Sequence, residues 1–274
     1  MNRLRSEDSG GRRLVPLLAL LGILAFLVAL VIRLPAAQAW AWFGDAAPVE
    51  AAGISGTVWN GRATSVHYQD EVFHDVRWQL LPRQLVAARA AARLQLLAED
   101  GRVQGLVSRG LRGDVQASDL RLVLPASQIL RLSGRADLPV DIDGQVDAFV
   151  ETLHLSADGE LLLLRGLVSW LDGSFSLGDR IALGSYALRV DGDGQRLQGR
   201  LQDTDAALRL EGDLELDLRN GGVRGEIIMQ AREQADPALI ENLRFAGLPD
   251  PSAANRVRFR GNLNDPFGFR GDLL

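Results

Sequence analysis

From Leu208 to Leu218 the chain alternates without a slip. Even positions read Leu208, Leu210, Gly212, Leu214, Leu216 and Leu218, and odd positions read Arg209, Glu211, Asp213, Glu215 and Asp217. A helix at 3.6 residues per turn scatters such a pattern around its circumference. A strand instead sends successive side chains to opposite faces, so hydrocarbon lies on one side and charge on the other. Asn220-Gly221-Gly222 then offers the positive-φ chemistry of a hairpin turn, and Val223, Gly225, Ile227 and Met229 resume the alternation.

The same grammar recurs along the chain beyond about residue 50. Tyr186, Leu188 and Val190 run into the turn Asp191-Gly192-Asp193-Gly194, and Leu197, Gly199 and Leu201 return. Leu94 and Leu96 lead to Glu99-Asp100-Gly101, followed by Val103, Gly105 and Val107. Ile142, Gly144, Val146, Ala148 and Val150 alternate with Asp141, Asp143, Gln145 and Asp147. The apolar parity then flips to Leu153 and Leu155, which predicts a bulge. Glycines inside strands permit bends and close backbone approach, so the expectation is a long, curved meander. Helices are few. Pro82 to Ala92 reads as a short helix or as the entry to the next strand. Asp236-Pro237 reads as an N-cap with proline at the first helical position, with Leu239, Ile240 and Leu243 sharing a face up to Gly247.

Ahead of this body lies a stretch of another kind. Leu14 to Ile32 carries no charge over nineteen residues. As a helix it would be about 28 Å long, close to the ~30 Å of a bilayer's hydrocarbon core. Arg3, Arg5, Arg12 and Arg13 precede it, and only Arg33 follows before Asp45. The positive-inside rule therefore keeps the N-terminus in the cytoplasm and translocates the rest. Ala37-Gln38-Ala39 also fits a signal-peptidase site, but the apolar run exceeds the ~7–15 residues of a secretory signal. Trp40, Trp42 and Phe43 resemble an interfacial aromatic belt outside a retained span. The expected architecture is mainly β. A single N-terminal transmembrane helix precedes one curved, mostly antiparallel β-sheet or sandwich domain with few short helices. Residues 1–13 form a cytoplasmic tail, 14–32 the anchor, 33–50 a juxtamembrane linker and 51–274 a periplasmic β domain. Both the anchored and the cleaved readings place the body outside the cytoplasm.

Composition narrows the chemistry. There is no cysteine, so disulfides, thiolate metal sites and cysteine nucleophiles are excluded together. All 30 basic residues are arginine, set against 35 acidic ones, for a net charge of −5. No basic run lies beyond the N-terminus, and nucleic-acid binding has no electrostatic footprint. His67 and His74 flank a turn at Gln69-Asp70-Glu71 without a clear third ligand, and His154 sits between Leu153 and Leu155. No G-x-S-x-G elbow occurs, and Gly192-Asp193-Gly194 lacks the third glycine and following helix of a dinucleotide loop. The row Asp141, Asp143, Asp147 reads as a solubilising strand face. The reading is a protein with no catalytic residues, metal or cofactor.

The most specific local signal is Gly56-Thr57-Val58-Trp59-Asn60-Gly61-Arg62-Ala63, succeeded by Val76-Arg77-Trp78-Gln79-Leu80 and then Leu81-Pro82. Trp170, the strand Gly184-Ser185-Tyr186-Ala187-Leu188 and the Leu239-to-Gly247 helix follow in order. This set resembles type II secretion system protein N, the N component of the general secretion pathway. The resemblance covers the anchor and about Val49 to Leu263. It implies a single-pass inner-membrane protein with a periplasmic domain, acting with other secretion-system subunits in export of folded proteins. Gly56, Thr57, Trp59, Gly61, Trp78, Trp170 and Tyr186 are the residues expected either to pack the body or to contact a partner. The alternative is a lipid-handling β groove tethered to the inner membrane, similar to proteins of the AsmA type, because a long sheet with one hydrocarbon face must cover that face with something.

Overall fold

The structure, a computed structural model, describes residues 20–23, 26, 29–44, 49–68, 71–98, 101–132, 141–176, 180–233, 235–245, 250–262 and 265–273. Helix α1 (Ala36–Phe43) is followed by β1 (Glu50–Ala52), β2 (Ser55–Gly56), β3 (Asn60–Tyr68), β4 (Glu71–Leu80), α2 (Pro82–Leu85), β5 (Arg89–Ala98), β6 (Gly101–Gly110) and β7 (Val115–Pro125). Then come α3 (Ala126–Leu132), β8 (Asp141–Leu155), β9 (Leu161–Ser176), β10 (Arg180–Gly192), β11 (Arg196–Ala206), β12 (Leu208–Asp217), β13 (Gly222–Ala231), α4 (Pro237–Phe245), β14 (Asn255–Asn262) and β15 (Asp265–Leu273).

All the strands belong to one antiparallel sheet, and from β3 to β15 each pairs with its sequence neighbour; β1 and β2 both line the outer edge of β3. The sandwich alternative therefore gives way to a single sheet. The expected hairpins form where the turn residues stand. Gly194 and Gly221 adopt φ of +87° and +72°. Asp193 Oδ1 accepts the backbone N–H groups of Gln195 and Arg196, both at 3.0 Å, and these bonds hold its carboxyl below the usual carboxylate range. The parity flip after Val150 is a register shift between Val150 and Thr152 against β9. The Pro82 region divides between both expectations: a helix to Leu85, then strand from Arg89.

Three further irregularities were not legible as such. Asp75, Asp119 and Asp172 sit inside strands at φ of about +46°, +51° and +50°. Each coincides with a register shift, in the β4–β5, β6–β7 and β8–β9 pairings respectively. Aspartate tolerates the left-handed region better than most residues, and a bulge there bends and twists the sheet. The segment expected as a linker, 33–50, contains α1, with Ala36 buried.

The alternation sorts the two faces as the sequence requires. Following the register across eleven strands, one row reads Leu80, Ala92, Val107, Ala117, Leu153, Leu164, Gly192, Leu197, Leu216, Val223, Gly261. The opposite face carries an ionic lattice in which Arg200 pairs with Asp213 at 2.9 Å, Arg224 with Glu215 at 2.8 Å and Arg258 with Glu226 at 3.1 Å. Such exposed pairs each contribute about 0–1 kcal/mol.

The apolar face is only partly covered. Leu94, Leu96, Val103, Leu120, Val168, Leu188, Leu201 and Leu214 all remain half-buried. The chain exposes 19007 Å², whereas a compact globule of its 29.8 kDa would expose roughly 11,600 Å². Part of that surplus is the uncovered face. The buried apolar cluster lies at one end, where α4 lays Leu239 against Ile181, Leu208 and Ala231, with Ile240 and Leu243 packed alongside. Asp236 Oδ1 accepts the Ala238 N–H at 2.8 Å, the expected N-cap. Helix α3 closes the same end by reaching back to β4. Gln128 Nε2 donates to Glu71 Oε2 at 2.5 Å, and Arg131 pairs with Glu71 at 2.7 Å.

Of the predicted membrane span, residues 14–19, 24, 25, 27 and 28 lie outside the described residues, as do the 1–13 tail and the turn positions 69–70 and 99–100. Residues 20–23, 26 and 29–32 are helical. Among the described residues no helix is long and apolar enough to cross a membrane.

Candidate functional site

The seven residues singled out in the sequence fall into two separate constellations. The first is a joint between the N-terminal helical segment and the sheet. Gly56, at φ of +83°, turns the chain out of β2. Thr57 N–H donates to Asn60 O at 3.0 Å, and the Asn60 N–H donates to Thr57 Oγ1 at 3.1 Å, closing a tight loop that thrusts Val58 and Trp59 outward. Those two residues take hold of the N-terminal segment: Trp59 Nε1 donates to Val31 O at 2.8 Å, and Val58 N–H donates to Leu34 O at 3.0 Å. Pro35 and Thr57 form an isolated antiparallel bridge. Beneath the loop, Trp78 Nε1 donates to Val58 O at 3.0 Å. Its ring lies over Gly61, its cross-strand partner, where any Cβ would overlap it. That close approach is why the motif needs glycine at 61.

The second constellation is a staple on β8, β9 and β10, separated from the joint by β5, β6 and β7. Trp170 Nε1 donates to Asp143 O at 3.0 Å, and the ring stands 6.3 Å from that of Tyr186, its cross-strand partner. Tyr186 is buried, and its hydroxyl donates toward two carbonyls, Leu208 O at 3.0 Å and Leu183 O at 3.2 Å. Burial, with the nearby Asp203 charge, pushes its phenol up to about 12, against the opposing pull of Arg232. Asp203, opposite Tyr186 on β11, has a side chain only 4% exposed and pairs with Arg232 while accepting the Leu210 N–H at 3.2 Å. Sequence reasoning missed the Asp203–Arg232 pair and the Gln128–Glu71–Arg131 cluster. Gln128 and Arg131, polar residues within the short segment Ala126 to Leu132, were the only hint of the latter.

All three motif tryptophans thus spend their indole N–H on a backbone carbonyl while their rings stay half-buried. These arrangements hold backbone together and present no nucleophile–base pair. His67 lies opposite Val72 and His74 opposite Ser65, so the two imidazoles are not cross-strand partners. Among the described residues no group of three His, Asp or Glu side chains is placed to hold a metal ion, and no buried side-chain polar atom lacks a partner. A shallow concavity of about 520 Å³ on the charged face is lined by Arg189, Asp191, Arg200, Asp213, Glu215 and Arg224. Its three cations and three anions offset one another.

The comparisons with known proteins agree with the ordered motifs. The family model described as type II secretion system (T2SS), protein N, matches residues 47–258, from just ahead of β1 into β14. A type II secretion system protein N from Aeromonas hydrophila is 26% identical over 259 residues, covering 90% of this chain and 98% of that protein. No solved structure matches. With the Gly56–Gly61 joint, both tryptophan strands and nearly the whole sheet inside the matched region, the chain belongs to the type II secretion system protein N family.

Proposed function

We propose that the protein is a non-enzymatic accessory or assembly component of the type II secretion system, anchored in the inner membrane by Leu14 to Ile32 with its sheet in the periplasm. It acts through contacts with other secretion subunits during export of folded proteins. The family match across residues 47–258 carries this reading. Two features support the anchor. The described helical residues Leu20, Leu21, Ile23, Phe26, Leu30, Val31 and Ile32 are all exposed, as hydrocarbon facing lipid would be. The motif loop then grips the end of that segment through Val31 and Leu34. The sheet also ends in open edges, β1 with β2 on one side and β15 on the other, which suit strand addition by a partner. Deleting the gene and measuring export of a folded substrate tests the role. Lost export, restored by the gene in trans, is expected; normal export with no co-purification of other subunits overturns it.

The half-covered apolar face favours a second reading, a lipid-handling groove of the kind found in AsmA-type proteins. A row of hydrocarbon eleven strands wide is long enough to hold acyl chains laid along the sheet. Native mass spectrometry of gently extracted protein separates the two: bound phospholipid supports the groove, and an empty body leaves export through protein contacts.

A further inference from the structure

The N-terminal segment and the sheet are joined without slack. Residues 29–32 are still helical, and Arg33 N–H bonds back to Ala29 O at 3.1 Å. Yet Val31 O already accepts from Trp59 and Leu34 O from Val58. The last apolar turn is therefore part of the joint, and at 1.5 Å per residue the β2–β3 loop stands within about 5 Å of the end of the apolar run.

Two loops neighbour the joint at that same end of the sheet, ahead of the β8–β9, β10–β11 and β12–β13 turns, since in an antiparallel meander the β4–β5 and β6–β7 connections lie on the side where β3 begins. Leu80 N–H donates to Trp59 O at 2.8 Å, tying the foot of β4 to the joint. Arg89, at the foot of β5, pairs with Asp114 of the next loop at 2.9 Å. The first loop carries Leu85 and Val86, 49% and 92% exposed, and the second carries Leu111, 87% exposed. An exposed arginine stands beside each tip, Arg83 in one and Arg112 in the other. Aliphatic tips flanked by guanidinium groups suit the boundary between headgroups and acyl chains, with hydrocarbon immersed and arginine on phosphate. At the opposite end α4 covers Ile181, Leu208 and Ala231, while Leu97 and Tyr68, 47% and 39% exposed, stand without an arginine-flanked loop.

We propose that this end of the sheet rests on the bilayer surface, with Leu85, Val86 and Leu111 inserted at the headgroup boundary and Arg83 and Arg112 on anionic lipid phosphates. The body is then held at a fixed attitude to the membrane rather than swinging on a tether. The proposal rests on reading Leu14 to Ile32 as a membrane span, and the test separates the two.

The chain has no cysteine, so single cysteines can be labelled cleanly. Full-length protein carrying Val86→Cys, Leu111→Cys, Ile32→Cys or Tyr68→Cys is labelled with a fluorophore. Each variant is reconstituted into phosphatidylethanolamine–phosphatidylglycerol vesicles containing a lipid spin-labelled near its headgroup. Tyr68 ends β3 and so marks the far end of the sheet. Labels at 32, 86 and 111 are expected to lose about half of their emission, as side chains buried 5–10 Å into the interface would, while the label at 68 is unaffected. Quenching at 32 but not at 86 or 111 overturns the proposal and leaves the span standing. Equal quenching at 68 overturns it as general adhesion. An unquenched label at 32 removes the span, and the proposal with it.

Discussion

The two ends of the sheet hold the same kinds of residue in opposite surroundings. At the end closed by α3 and α4, Ile181, Leu208 and Leu239 are between 3% and 5% exposed. At the end that meets the N-terminal segment, Val86 and Leu111 are 92% and 87% exposed. Strand pattern does not separate them, because both ends alternate in the same way. The connections do. The β7–β8 and β13–β14 links carry α3 and α4 back against the sheet, whereas the β4–β5 link carries only the four-residue α2 and the β6–β7, β8–β9, β10–β11 and β12–β13 links are tight turns. Cover on this sheet therefore follows the two connections that carry α3 and α4, and Val86 and Leu111 at the other end are left exposed.

The largest effect that would break this contrast is at the capped end. Leu239→Ala should cost about 2–5 kcal/mol in chemical denaturation, since it opens a cavity between α4 and the sheet. Val86→Ala should stay within about 0.5 kcal/mol. Equal costs would mean the two ends are packed alike.

Next comes the staple beneath the cap. Tyr186 has its phenol raised to about 12 in the folded state, against about 10 when unfolded. Its contribution to stability is complete below pH 10. It falls as pH rises from 10 to 12, because the unfolded chain ionises first. Tyr186→Phe should flatten that alkaline decline, at a cost of about 1 kcal/mol at neutral pH for the lost hydrogen bonds. A decline of unchanged slope would place the alkaline titration elsewhere.

The joint end gives a smaller and more local effect. Trp59→Phe removes the bond to Val31 O and should cost about 1 kcal/mol or less. Amide exchange should quicken at Val58, whose N–H is bonded to Leu34 O, with no change at Leu210 or Met229 in the capped half. Smallest is the charged face, where Arg200→Ala breaks an ion pair more than half exposed on both sides. It should shift stability by less than about 1 kcal/mol, and by less still in high salt.

Much of the sheet was legible in the sequence. Leu208 to Asp217 against Gly222 to Ala231, the Asp193-Gly194 turn, the slip after Val150 and the Asp236 cap of α4 all lie where local pattern puts them. The motif around Trp59 was legible as a signal but not as a joint. Its partners, Val31 and Leu34, lie more than twenty residues upstream in a segment whose own pattern speaks only of hydrocarbon. Helix α3 was missed because seven residues are too few to show a period, and its Gln128 finds Glu71 only across 57 residues of chain.

The sequence by itself determined that this chain is a meander of strands with an oily face and an ionic one. A period of two is written residue by residue, and each turn is encoded within a few positions of itself. Only the tertiary structure decided that the sheet stays single and open, which end receives a helical cover, and how the motif loop grips the N-terminal segment. Those outcomes depend on contacts between residues far apart in the chain and on whether a connection is long enough to return. Local alternation carries no information about either.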